Sequence, residues 1–315
     1  MRRSLLGLAA FAAILAGGRP AGAWWDAGHM QIAAVAYKHL TGPAKDRADV
    51  LLRINKDYAK WTAGAPDEAT AKQWAFVHAA TWADDIKMKS YGYTRDAANG
   101  PAAGQNIGYQ DRNEHDYWHY KDTGFSPDGT PIVAANPVDA LTQLRLMIAA
   151  LPTSSGATDD VRSYDLVWIL HLVGDVHQPL HGVTRFTREL PSGDRGGNSE
   201  QVIPATGETV ALHAYWDGIF GGYVSPFGAI YDAGGTDGIA NIDTNPEMVK
   251  IDDPAQWIEE SAALAKTYAY AAPIGTGPSA VFLTREYETN ARNVAHSQAA
   301  LAAARLANLL NTAFP

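Results

Sequence analysis

Between residues 171 and 181 the chain reads His-Leu-Val-Gly-Asp-Val-His-Gln-Pro-Leu-His, and that run limits the local fold more tightly than any other. His171 and Asp175 stand four apart, the spacing that stacks two side chains on one face of a helix, and residues 164 to 176 carry the apolar period of such a helix. Pro179 ends or bends it, which turns His181 away from that face. His213 and Asp217 repeat the four-residue spacing. One His-x-x-x-Asp pair is most simply a surface ion pair worth roughly 0.3 kcal/mol. Two such pairs plus His181, in a chain with 10 histidines, point instead to side chains that converge on cations.

Composition narrows the donor set. The 315 residues include no cysteine, so there is no disulfide, no thiolate nucleophile and no Cys-ligated zinc; metal ligands must be nitrogen or oxygen. At 46% hydrophobic and 19% charged, the chain supports one large core and is not of the disordered class. A formal charge of -9 offers no basic footprint, so a phosphate-bearing partner needs positive charge from another source. Arg2 and Arg3 precede an apolar run from Leu5 to Ala16, and Ala21-Gly22-Ala23 closes the pattern; residues 1–23 read as a signal peptide. The apolar run is shorter than the about 20 residues that span a bilayer. Cleavage after Ala23 would give Trp24 a free α-amino group and leave a mature domain of residues 24–315 without a membrane anchor. The absence of both cysteine and Asn-x-Ser/Thr sequons favours a bacterial periplasmic or secreted protein.

Apolar periodicity predicts a helical hairpin over residues 32–40 and 43–54, a helix opening at Pro66-Asp67-Glu68, and helices over 137–151, 253–270 and 284–310. Residues 90–110 read as a long surface loop, residues 221–252 as mostly loop, and residues 201–203 with 208–211 as a small hairpin. The expected fold is mainly α: a single-domain multi-helix array with one small β-hairpin.

Three further segments complete the pattern: Trp24-Trp25-Asp26-Ala27-Gly28-His29, Thr81-Trp82-Ala83-Asp84-Asp85, and Trp118-His119-Tyr120-Lys121-Asp122. With the 171–181 run, Gly196-Gly197-Asn198 and Leu212-His213-x-x-Trp-Asp217, the ordered set resembles the S1/P1 nuclease family. That family comprises zinc-dependent single-strand nucleases that share a helical fold with bacterial zinc phospholipase C. The resemblance spans essentially the whole mature chain.

The resemblance implies three Zn2+ ions. One would be held by Asp84, His119, His171 and Asp175. A second would take the α-amino nitrogen and carbonyl oxygen of Trp24, together with His29 and the other oxygen of a bridging Asp175. The third would take His181, His213 and Asp217. It also implies a catalytic role for Asp122, in orienting water or a ligand histidine, and one for Lys87, where some fungal members have arginine. Tyr120 would stack a nucleobase or pack in the core. Asn198 would bind substrate near the third ion, with Gly196 and Gly197 admitting its close approach. Substrates would be single-stranded DNA or RNA and nucleotides, cut to 5′-phosphorylated products, with 3′-nucleotidase activity alongside; no protein partner is implied. A phospholipase C acting on phosphocholine lipids is the alternative, and Asp217 tells against it because those relatives carry glutamate there. His39, His78, His115 and His296 read as surface or partly packed residues, although His115 lies close enough to His119 to replace it. His177 reads as a neighbour that supports the ligands.

Overall fold

The computed structural model describes residues 24–315; the signal peptide expected at residues 1–23 lies outside the described residues. Twelve helices occur in chain order: α1 (Asp26–His39), α2 (Gly42–Leu52), α3 (Tyr58–Trp61), α4 (Glu68–Ala79), α5 (Trp82–Asp85), α6 (Ala140–Ala150), α7 (Asp159–Asp175), α8 (Leu212–Asp217), α9 (Pro226–Gly234), α10 (Pro246–Val249), α11 (Pro254–Leu264) and α12 (Arg285–Ala313). Five short strands complete the described chain: β1 (Thr123–Phe125), β2 (Val183–Arg185), β3 (Gln201–Ile203), β4 (Val210–Ala211) and β5 (Val281–Phe282). The fold is mainly α, with little sheet.

α7 is the axis. From Arg162 to Asp175 every residue is buried, so the helix is surrounded on all sides and shows no amphipathic stripe. α1, α2, α5, α6 and α12 pack around it. Thr158 starts α7 by accepting a hydrogen bond from the Val161 amide, six residues before the apolar period begins. Trp82 and Trp168 anchor the wall beside α7, with ring centroids 6.3 Å apart at near-perpendicular tilt.

Two expectations for the chain need correction. Residues 90–110 form the expected surface loop, with two single turns and most residues exposed or half-buried, pinned to the core where Tyr91, Tyr93 and Ala103 are buried and Tyr93 and Tyr109 set their rings edge-on against Trp82. Residues 221–252 contain α9 and α10, each opened by a side-chain cap and a proline, Ser225-Pro226 and Asn245-Pro246. Gly221, Gly222 and Gly228 masked the first of those signals, and α10 is a single turn too short to show a period. The hairpin of β3 and β4 forms as expected, Gln201 opposite Ala211, but β5 joins it in parallel, and β1 pairs with β2 in parallel. Strands of two or three residues carry too little alternation to be seen in sequence.

Candidate metal centre

Four segments meet at the C-terminal end of α7. The four-residue spacing puts His171 Nε2 3.3 Å from Asp175 Oδ2. His119 arrives from the turn after Trp118, its Nδ1 2.9 Å from Asp175 Oδ2 and 3.1 Å from His171 Nε2. Asp84, in α5, lies 3.8 Å from His171 and 3.9 Å from His119. His29, on α1, stacks on the His171 ring with centroids 3.8 Å apart, and its Nε2 is 3.2 Å from Asp175 Oδ1. Asp175 therefore presents one oxygen to His29 and the other to His119 and His171. Gly174 makes room for this, since a Cβ there would meet His29 Nδ1 at 2.8 Å.

The second cluster forms past Pro179. His181 Nε2 and His213 Nε2 are 3.0 Å apart, and Asp217 Oδ2 lies 3.5 Å from His213 Nε2 along α8. His181 Nδ1 donates to His119 O and His213 Nδ1 to Gly196 O, each at 2.7 Å. Those bonds fix the tautomer and leave both Nε2 lone pairs facing each other. The Lys121 amide in turn donates to His181 O at 2.8 Å, tying the two clusters together.

The chemistry of these donors fits cations. Both ring nitrogens of His29, His119 Nε2, Asp175 Oδ1 and Asp217 Oδ2 are buried without a hydrogen-bond partner in the protein, and each such orphan costs about 1–3 kcal/mol. Within each of three groups, His29-Asp84-His171, His119-His171-Asp175 and His181-His213-Asp217, ligand atoms lie within 4.8 Å of one another. All are nitrogen or carboxylate oxygen, the set that suits zinc. Burial, opposed by the Gln178 hydrogen bond, pushes Asp217 well above the carboxylate range. Burial also pulls His181 and His213 down to about 3 and about 4. At Asp175 burial is outweighed by His171, His119 and His29, which hold it well below the usual range.

Trp24 is fully buried, donates from Nε1 to Gly174 O at 3.0 Å and sets its ring edge-on to Phe220. The Trp25 amide donates to Asp217 O at 3.1 Å. The start of the described chain is thus pinned between α7 and α8, beside both clusters.

A cavity of about 360 Å³ opens over these groups, and Lys87, Tyr120, Asp122 and Asn198 all line it with His119, His181 and His213. Lys87 Nζ is 2.7 Å from Asp84 Oδ1; burial opposes its charge, but Asp84 and Asp116 outweigh burial and keep it protonated. Asp122 accepts a hydrogen bond from Thr184 Oγ1 and is shifted upward by burial, with Thr184 opposing. It makes no hydrogen bond to a clustered histidine; Ala80 O, His119 O and Gly196 O orient His171, His181 and His213. Tyr120 is half-buried against the core and lines the cavity. Asn198 Nδ2 donates to Arg195 O at 2.8 Å. Gly196 and Gly197 serve the chain's own packing: a Cβ at Gly196 would meet Leu180 O at 2.5 Å, and one at Gly197 would meet Leu212 at 3.3 Å.

Two histidines sit differently from expectation. His115 is fully buried, its Nε2 2.9 Å from Asp111 and its Nδ1 2.8 Å from Asp96, with its ring stacked 3.7 Å from Trp118. Both nitrogens are used, so it is a satisfied core residue. His177 donates to Val173 O and accepts from Arg305 Nη1 at 2.9 Å, bonding to none of the clustered residues. Sequence reasoning passed over Gln178, whose Nε2 donates to Asp217 Oδ1 at 2.7 Å; its place between Asp175 and His181 was the available signal. Arg95, Asp116 and Arg195, which also line the cavity, carried no spacing signal at all.

The profile of the family described as S1/P1 Nuclease matches residues 24–315. No curated protein matches the chain.

Proposed function

This chain belongs to the S1/P1 nuclease family, and on that premise we propose that it is an exported zinc-dependent endonuclease. In this reading it cleaves single-stranded DNA and RNA to 5′-phosphorylated products and also acts as a 3′-nucleotidase. Family membership makes it a nuclease, a hydrolase of phosphodiester bonds. The observation that carries the metal reading is the convergence of buried His and Asp atoms that have no protein partner.

Asp84, His119, His171 and Asp175 would hold one ion, and His29 with the other oxygen of Asp175 a second. Once the bond before Trp24 is cut, its α-amino nitrogen and carbonyl oxygen would complete that second set. His181, His213 and Asp217 would hold the third. Zinc, when bound, lowers the pKa of a coordinated water to about 7 and neutralises charge on the phosphoryl group; it also supplies the positive charge that a chain of -9 lacks.

The chain's own residues position the rest. Thr184 occupies Asp122 Oδ1, and Asp122 lines the cavity, where its other oxygen would orient a water or receive its proton. Lys87 keeps a protonated ammonium at the cavity wall for a phosphate oxygen, as a point charge and not a fork. Tyr120 offers a ring face on which an unpaired base can stack, a face hidden in a duplex, and Asn198 a side chain beside the third set.

The test is elemental analysis of the mature protein, with mass spectrometry of its first residue, followed by assays on denatured DNA, RNA and short-chain phosphatidylcholine. Three zinc ions, Trp24 as first residue and preference for the nucleic acids are expected; faster lipid hydrolysis would overturn the reading in favour of a phospholipase C. Extra residues placed ahead of Trp24 lower activity if the terminal amine is a ligand, and equal turnover removes Trp24 from the set.

A further inference from the structure

Three cationic side chains line the cavity: Lys87, Arg95 and Arg195. Two are already engaged. Lys87 lies 2.7 Å from Asp84 and 3.7 Å from Asp116, and Arg95 sends two hydrogen bonds to Asp116, at 3.1 and 3.0 Å. Arg195 is exposed, and among the described residues no carboxylate lies within ion-pair reach of its guanidinium.

Its backbone is also unusual. Arg195 has φ 57°, followed by Gly196 at 61° and Gly197 at 81°, three left-handed residues in a row. A side chain in that region costs about 1 kcal/mol or more relative to glycine, so the surroundings must hold it there. They do. Buried Asp194 accepts from the Arg185 amide at 2.8 Å and from Tyr270 Oη at 2.7 Å, and Asn198 Nδ2 donates to Arg195 O. The turn that aims Gly196 O at His213 Nδ1 therefore also fixes where the Arg195 side chain leaves the chain, beside the third candidate ion set. The Arg195 charge is felt across the cavity: it adds to burial in lowering His213, and opposes burial at Asp122 and Tyr120.

We propose that Arg195 binds the phosphate that flanks the scissile one on a substrate strand, so that the site favours polynucleotides over nucleotides with a single phosphate. The inference rests on reading the cavity as a nucleic-acid site. The scissile phosphate is the group that the His and Asp clusters would serve, which leaves the unpaired guanidinium for the next one. A planar guanidinium suits it, because its fork matches two phosphate oxygens.

The experiment measures binding of the zinc-loaded mature protein to a short, cleavage-resistant phosphorothioate oligothymidylate by fluorescence anisotropy over a salt series. Arg195→Asn keeps a residue that tolerates left-handed backbone, and Arg195→Lys restores charge without the fork. The expected result is roughly tenfold weaker binding for Arg195→Asn, with the slope of log affinity against log salt shallower by about 0.7, one phosphate contact on a single strand. Arg195→Lys should recover the slope but only part of the affinity. Equal slope and affinity for the Asn variant and the parent, at matched melting temperatures, would overturn the inference alone. A parent that binds no strand overturns the nucleic-acid reading itself, and the inference with it.

Discussion

The Nε2 atoms of His181 and His213 face each other at 3.0 Å, and neither ring can turn away because each Nδ1 is tied to a backbone carbonyl at 2.7 Å. Two acceptor lone pairs at that distance are stable only around a shared proton or a cation. His213→Ala should therefore cut the bound zinc from three ions to two and lower kcat/KM by at least about a hundredfold, while the chelated proteins melt within a few degrees of each other. Elemental analysis checks this; an alanine variant with unchanged zinc would dismiss the third set.

Asp175 offers separate oxygens to His29 and to the His119-His171 pair, so one residue serves two groups. Asp175→Asn replaces one of those oxygens with a donor that cannot accept a cation. Loss of both ions of the first cluster and retention of the third is the expected stoichiometry, with activity down by at least about a thousandfold. Full metal content in the variant would contradict a bridge.

Much of this was legible because the i, i+4 pairs lie on helices whose period is clear: His171 with Asp175, and His213 with Asp217, needed only the geometry of one element. His29, Asp84 and His119 come from other elements, and only the order of the motifs pointed to them. Gln178 and Arg195 escaped because their contacts are made by turns. Pro179 sends the chain back so that Gln178 reaches Asp217, and three positive φ values present Arg195. α9 escaped for a related reason, its Ser-Pro start being embedded among glycines.

Gly196 joins a left-handed φ of 61° to a hypothetical Cβ contact of 2.5 Å with Leu180 O, a backbone atom that cannot swing aside. Gly196→Ala should destabilise the fold by about 1–3 kcal/mol and displace the carbonyl that orients His213 Nδ1. Weaker retention of one zinc ion, measured by competition with a chromophoric chelator, is the specific consequence. A variant that loses stability but holds all its zinc as tightly as the parent would separate the turn from the metal set.

Asp165, buried in α7, has a single hydrogen-bond partner, Asn106 Nδ2 at 3.0 Å, and burial pushes its carboxyl up to about 8, with Asn106 opposing. Its Oδ1 and the Asn106 Oδ1 both lack a donor, an arrangement that suits a protonated acid. The unfolded chain ionises this group near 3.8, so between about pH 4 and pH 8 the folded state holds a proton that the unfolded state has released. Stability falls with rising pH wherever the native state binds more protons, so this carboxyl erodes stability across that window and adds no further slope above it. Asp165→Asn keeps the shape and removes the titration. It should raise stability at pH 7.5 by about 1–3 kcal/mol and flatten the pH profile relative to the parent. Urea unfolding of both chelated proteins from pH 4 to pH 8 isolates this one residue, and parallel profiles would mean that Asp165 is ionised in the fold.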